Sequence, residues 1–225
     1  PPENPLWSLL LNIAVPSLIL HQFSENHLLG PVWALVVAIA IPLSYGIVDW
    51  RRRGQLNFFS LLGTASVVLT GGLGLIRASA LLVALKEASF PLFFALAILY
   101  STRTRRPLIP TFLLSPQIVD VPAIEFALRK NEKESDFEAL LFRASLILSL
   151  SMLLCAALSF LVAIFLLKSE PGTPAFNREL GRMLILSFPI AGGPAFAVLL
   201  YAFWRLVTGI RDLTGLETAD IFNPR

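Results

Sequence analysis

Lys86 and Glu87 stand side by side in an otherwise almost wholly apolar run, from about Ser79 to Ser101. At roughly 1.5 Å per helical residue, the pair lies about 12 Å along that run. Ionisable side chains at such depth in hydrocarbon are costly; they face a bundle interior or a water-filled cavity, pair with one another, or line a proton or substrate path. Adjacent helical residues point in different directions, so Lys86 and Glu87 are not expected to pair merely by being neighbours. Arg77, across the short turn before this run, is the candidate partner for Glu87. The long stem of Lys86 would let its ammonium snorkel toward the nearer interface. Lys86, Glu87 and Arg77 therefore read either as a transport or binding group, or as a structural ion pair with a snorkelled anchor.

A second charged group is Asp49, Arg51, Arg52 and Arg53, followed by Gly54. An acid among arginines can form a salt-bridged latch in a loop. The cluster is similar to the loop between the second and third helices of major facilitator transporters, but here Gly46 and Asp49 are three residues apart, where that pattern has four. Arginines that set topology, with one neutralising acid, account for the group with fewer assumptions. Gly71, Gly72 and Gly74 could form a nest of backbone N–H groups for an anion, but no Lys-Ser/Thr follows as in a P-loop. Glycines that let helices approach closely are the simpler account, and the same holds for Gly192 and Gly193. His21 and His27 have no Cys or carboxylate cluster beside them, so no metal site is expected. Asn12, Thr64, Ser66 and Thr70 are polar residues within apolar runs, suited to hydrogen bonds between helices. No Ser/His/Asp, Cys/His or paired-carboxylate arrangement falls within those runs, so neither a catalytic group nor a cofactor is expected and the chain reads as a non-enzyme.

The elements that must position these residues follow from composition. Of 225 residues 56% are hydrophobic and 15% charged, against about 25% charged in soluble domains. Crossing a bilayer core takes about 20 consecutive apolar residues. Runs of that kind recur at about Pro5 to Phe23, Pro31 to Asp49, Leu56 to Ile76, Ser79 to Ser101, Ser135 to Leu167 and Glu179 to Val207. The reading is an all-α polytopic membrane protein: six transmembrane helices as three hairpins in a single transmembrane domain over residues 1–225. Pro42, Pro91 and Pro189 precede basic clusters in the second, fourth and sixth runs, a weak internal repeat.

Residues 102–136 form the one long polar connector, and 208–225 a polar tail. Within the connector, Asp120 can cap a short helix with Pro122 in its first turn and Ile124, Ala127 and Leu128 on one face, either an interfacial element or a solvated one. Ser135 and Glu138 have capping-box spacing, and the helix that follows, at roughly 50 Å, overshoots the bilayer core. Asn177 is a credible N-cap for the sixth run. Assigning loops alternately to two sides places thirteen of the eighteen Lys and Arg on one side, which makes that side the cytoplasm and puts both ends there. The charge of +3 then needs no nucleic acid to explain it. Cys155, the single cysteine, lies within a run and excludes an internal disulfide. The first run follows Pro1, Pro2, Glu3 and Asn4 in place of a basic segment, so no cleavable signal is expected, and the missing initial Met fits a trimmed N-terminus.

The segments Asn4-Pro5-Leu6, Pro42-Leu43-Ser44-Tyr45-Gly46, Leu69-Thr70-Gly71-Gly72, Lys86-Glu87-Ala88, Phe176-Asn177-Arg178-Glu179-Leu180-Gly181-Arg182-Met183 and Leu213-Thr214-Gly215-Leu216 resemble a group of bacterial polytopic inner-membrane proteins placed beside intracellular septation protein A. The resemblance covers nearly the whole chain and implies an inner-membrane location, a cell-envelope or division role, and Lys86-Glu87 as a family feature. It implies no reaction. The first functional expectation is a non-enzymatic envelope scaffold or accessory subunit of a membrane complex, its connector and tail meeting partners. The second is a small secondary transporter or channel that works as a homodimer, with the Lys-Glu pair in its pathway. The partners expected are the lipid bilayer and either a second copy or a larger complex.

Overall fold

The computed structural model describes residues 10–53, 58–103 and 119–222, and every regular element among them is helical. In chain order these are α1 (Val15–Gln22), entered through a π turn at Leu10–Ala14, then α2 (Gly30–Arg53), α3 (Phe58–Leu75) and α4 (Ala80–Ser101). They are followed by α5 (Val121–Lys130), α6 (Glu134–Leu166), α7 (Pro174–Ser187), α8 (Gly193–Thr214) and the short α9 (Thr218–Ile221), a second π turn at Phe188–Gly192 joining α7 to α8.

Four helical segments are long and apolar enough to cross a membrane: Gly30–Val48, Ala80–Ser101, Glu134–Leu166 and the continuous path Pro174–Thr214. They mark the chain as a membrane protein. The first expected run appears as the π turn and α1 alone, the residues before Leu10 lying outside the described part. α3, with 18 residues, sits near the lower limit of about 17 for a span. Residues 104–118 of the connector also lie outside the described residues.

The described residues fall into two compact units, one up to Ala88 together with Ala157–Ala191, the other Ser89–Ala156 together with the chain from Gly192 onward. In the first unit α1 packs against α7 and α2, and α2 against α3. Leu20, Leu35, Val83, Ala163, Phe176, Leu180 and Met183 form its centre. α7 is capped by Thr173, whose Oγ1 accepts from the Phe176 N–H at 3.2 Å, with Pro174 as the first helical residue. Proline suits that position because its missing N–H would have no helical partner there. Asn177 is thus not the cap; it is fully buried inside the helix.

Gly71 and Gly74 lie within α3, so they form no anion nest. A Cβ at Gly71 would collide with Ile39, and one at Gly74 would press on Leu35 at 3.1 Å; these glycines let α3 close on α2. Gly192 and Gly193 differ from that expectation, since a Cβ at either would meet nothing within 4 Å. They lie where the π turn meets α8, between Pro189 and Pro194. A ring without an N–H disturbs the regular ladder, and a widened turn absorbs the disturbance. Pro16 follows the other π turn by two residues.

In the second unit α5 forms as its spacing predicts: Asp120 Oδ1 accepts from the Ala123 N–H at 3.0 Å, and Ile124, Ala127 and Leu128 are buried. Of these, Ile124 and Leu128 join Val119, Ala144, Leu206, Ile210 and Ile221 in a separate apolar core. Here α5 and the chain after α8 are tied together, the Asp120 N–H donating to Ile221 O at 3.0 Å. Asn131 Nδ2 donates to the Leu213 and Thr214 carbonyls at 3.1 and 3.2 Å. Gly215, at φ 72°, ends α8 in the left-handed conformation, so the last carbonyls of α8 have donors that the helix itself cannot supply. α6 begins at Glu134, one residue before Ser135, so Ser135 lies inside the helix and does not cap it. Farther along α6, Ser149 donates to Ala95 O at 3.0 Å and Ser151 to Ala195 O at 2.8 Å, hydroxyls acting as polar glue between apolar helices.

Candidate functional site

The charged pair of α4 is largely but not fully buried, Lys86 with 10% and Glu87 with 17% of its side chain exposed. α3 supplies the surroundings. Ser66 and Thr70 stand one turn apart and present their hydroxyls together to α4, as residues four apart on one helix face do. Lys86 Nζ donates to Ser66 Oγ at 2.8 Å, to Thr70 Oγ1, and to Glu87 Oε1 at 2.9 Å. Among the described residues these give the three N–H bonds of the ammonium an acceptor each. Thr70 Oγ1 is itself 2.8 Å from Glu87 Oε1 and 3.0 Å from Ser66 O, two acceptors for its one proton.

The expectation that Lys86 and Glu87 would not pair is corrected by this geometry. Their backbone positions do diverge, but the flexible lysine stem curls to α3 and meets the carboxylate there. Arg77 is likewise not the partner of Glu87, whose ion pair among the described residues is with Lys86. Arg77 ends the α3 turn with φ 56°, and its side chain lies along Gly172, where a Cβ would meet Nε at 2.8 Å and Cδ at 2.9 Å. The structure therefore joins Lys86 and Glu87, adds Ser66 and Thr70, and sets Arg77 apart. Beside Thr70 and Gly71 a cavity of about 10 Å³, also lined by Leu35, Ile39 and Leu180, has room for about one water.

The other sequence candidates lie elsewhere. Asp49, Arg51, Arg52 and Arg53 fall on the last turns of α2, where Arg51 is exposed; the latch itself lies outside the described side chains, as do Asn12 and Thr64. His21 and His27 are both exposed, and Cys155 is half-buried.

A second polar group, on α7, has no counterpart among those candidates. Asn177 Nδ2 donates to Pro31 O at 2.8 Å and Ser24 Oγ at 3.2 Å, clamping the α1–α2 connection. Arg178 forms an ion pair with Glu25. Glu179 accepts from the N–H groups of Lys168 and Ser169 at 2.8 and 2.9 Å and from Ser169 Oγ at 2.6 Å. The signal available in sequence was three consecutive polar residues between Phe176 and Leu180, which are four apart and both buried. One face of α7 is anchored in the core while its flank ties down two connections.

The fold and the site together define an all-α membrane protein whose long apolar helices carry a largely buried, hydrogen-bonded charge pair. No protein-family model matches the chain, and neither a curated protein nor a solved structure matches it.

Proposed function

We propose that this chain is a non-enzymatic scaffold or accessory subunit of a membrane complex in the bacterial inner membrane, a single six-span domain with both ends in the cytoplasm. The observation that carries the reading is the separate apolar core formed by α5, the start of α6, the end of α8 and α9. Under the proposed orientation this is a folded cytoplasmic cap, built from a connector and a tail that would otherwise be loose. Its outer face leaves Phe126 71% exposed, an aromatic of the kind that anchors protein contacts. The engaged ammonium of Lys86 supports a structural role for the charge pair.

The reading is tested by affinity purification from the native membrane. Phe126→Ser is expected to lose co-purifying partners while the protein still inserts and runs as the wild type does. Partners retained at wild-type yield would sink it.

One observation favours the second reading, a small transporter or channel working as a homodimer: the depth of Lys86 and Glu87 in a long apolar helix. Flux through proteoliposomes that is present in the wild type and lost in Lys86→Leu/Glu87→Gln would select it over the scaffold.

A further inference from the structure

Two of the oxygens around the Lys86 ammonium, Thr70 Oγ1 and Glu87 Oε1, also meet each other directly, at 2.8 Å. Ser66 and Thr70 face α4 from consecutive turns of α3. Taking the ammonium away leaves three convergent oxygens that together carry one negative charge. Lys86 has the longest side chain of the group: it reaches this place by bending a four-carbon stem, where Glu87 and the two hydroxyls come from shorter side chains.

The geometry points to a monovalent-cation site formed by Ser66, Thr70 and Glu87, which Lys86 fills as a tethered occupant and yields to an inorganic cation. Hydroxyl and carboxylate oxygens are the hard donors that alkali cations take. The N···O distances of 2.5, 2.8 and 2.9 Å suit a monovalent ion larger than Li⁺, in the range of Na⁺ and K⁺. Mg²⁺ would need contacts of roughly 2.0–2.1 Å. A divalent ion would also leave a net positive charge in a low-dielectric setting, a heavy cost. When the cation enters, the ammonium leaves on its stem toward the polar interface, as long basic side chains in membranes do. This goes beyond the scaffold reading and does not rest on it.

The test uses the purified protein in detergent, with KCl or choline chloride at matched ionic strength and constant pH. Reductive methylation of Lys86, followed by peptide mass, is expected to run several-fold faster in KCl in the wild type, because the displaced ammonium becomes reachable; in Glu87→Gln the two salts should give one rate. Lys86→Ala, which empties the site, is expected to gain about 2–4 °C in Tm in KCl relative to choline. Equal Lys86 methylation in the two salts overturns the site, and this needs no variant to fold. A Lys86→Ala Tm that is the same in both salts overturns it as well.

Discussion

A lysine that leaves the direction of its own backbone position to reach a neighbouring helix makes the two charges of this pair interdependent. Lys86 and Glu87 cancel only together, and removing one partner strands the other charge in a setting with little water, which costs roughly 3–5 kcal/mol. Lys86→Met and Glu87→Gln are each expected to destabilise the protein by about that amount, and the double variant by much less than their sum, read from unfolding in detergent as a double-mutant cycle. Additive losses would mean that the pair is uncoupled. The depth of the pair was legible in the sequence because depth is a matter of counting along a helix. Its partners were not: which face of α3 meets α4 depends on the rotation of two helices about their axes, and neither α3 nor α4 has a polar stripe broad enough to announce it. Arg77 is near Glu87 in sequence, but its backbone stands at positive φ and its side chain lies along Gly172.

At the scale of elements, the glycines separate into those that permit contact and those that do not. A Cβ at Gly181 of α7 would lie 2.7 Å from the Ser17 carbonyl oxygen and 3.3 Å from Leu20 Cβ. Because backbone is one of the colliding groups, α1 and α7 must part to admit it. Gly181→Ala is expected to cost roughly 1–3 kcal/mol, whereas Gly72→Ala, with nothing within 4 Å, should be neutral or stabilise by about 0.5–1 kcal/mol through helix propensity alone. Thermal unfolding of the two variants side by side checks the contrast. Apolar run length located the four long segments, and Asp120 with Pro122 identified α5 correctly. The starts of α6 and α7 were less legible. Ser135 and Asn177 have the chemistry of caps, yet α7 starts at Thr173-Pro174, and Asn177 is drawn inward because Ser24 and Pro31 O, distant in sequence, offer acceptors for its amide.

For the molecule as a whole, the arginine and lysine distribution makes a claim about sidedness that the helices by themselves do not decide. Single cysteines placed by Lys130→Cys and Ala219→Cys in a Cys155→Ser background are expected to react with an impermeant maleimide only from the cytoplasm. Asn26→Cys and Glu170→Cys should react only from outside. All four native side chains are exposed, so labelling reports side and not burial, and the opposite pattern would invert the proposed topology. The bonds from Asn131 to Leu213 and Thr214, and from Asp120 to Ile221, add a consequence in time. A ribosome working at about 5–20 residues per second has roughly 5–20 s of synthesis left after Asp120 before Ile221 exists to meet it. Through that interval Ile124 and Leu128 have no α8 or α9 to cover them, so α5 waits as an uncovered apolar surface in the nascent chain. For the stretch of translation between α5 and α9, that surface is open to chaperones and proteases alike.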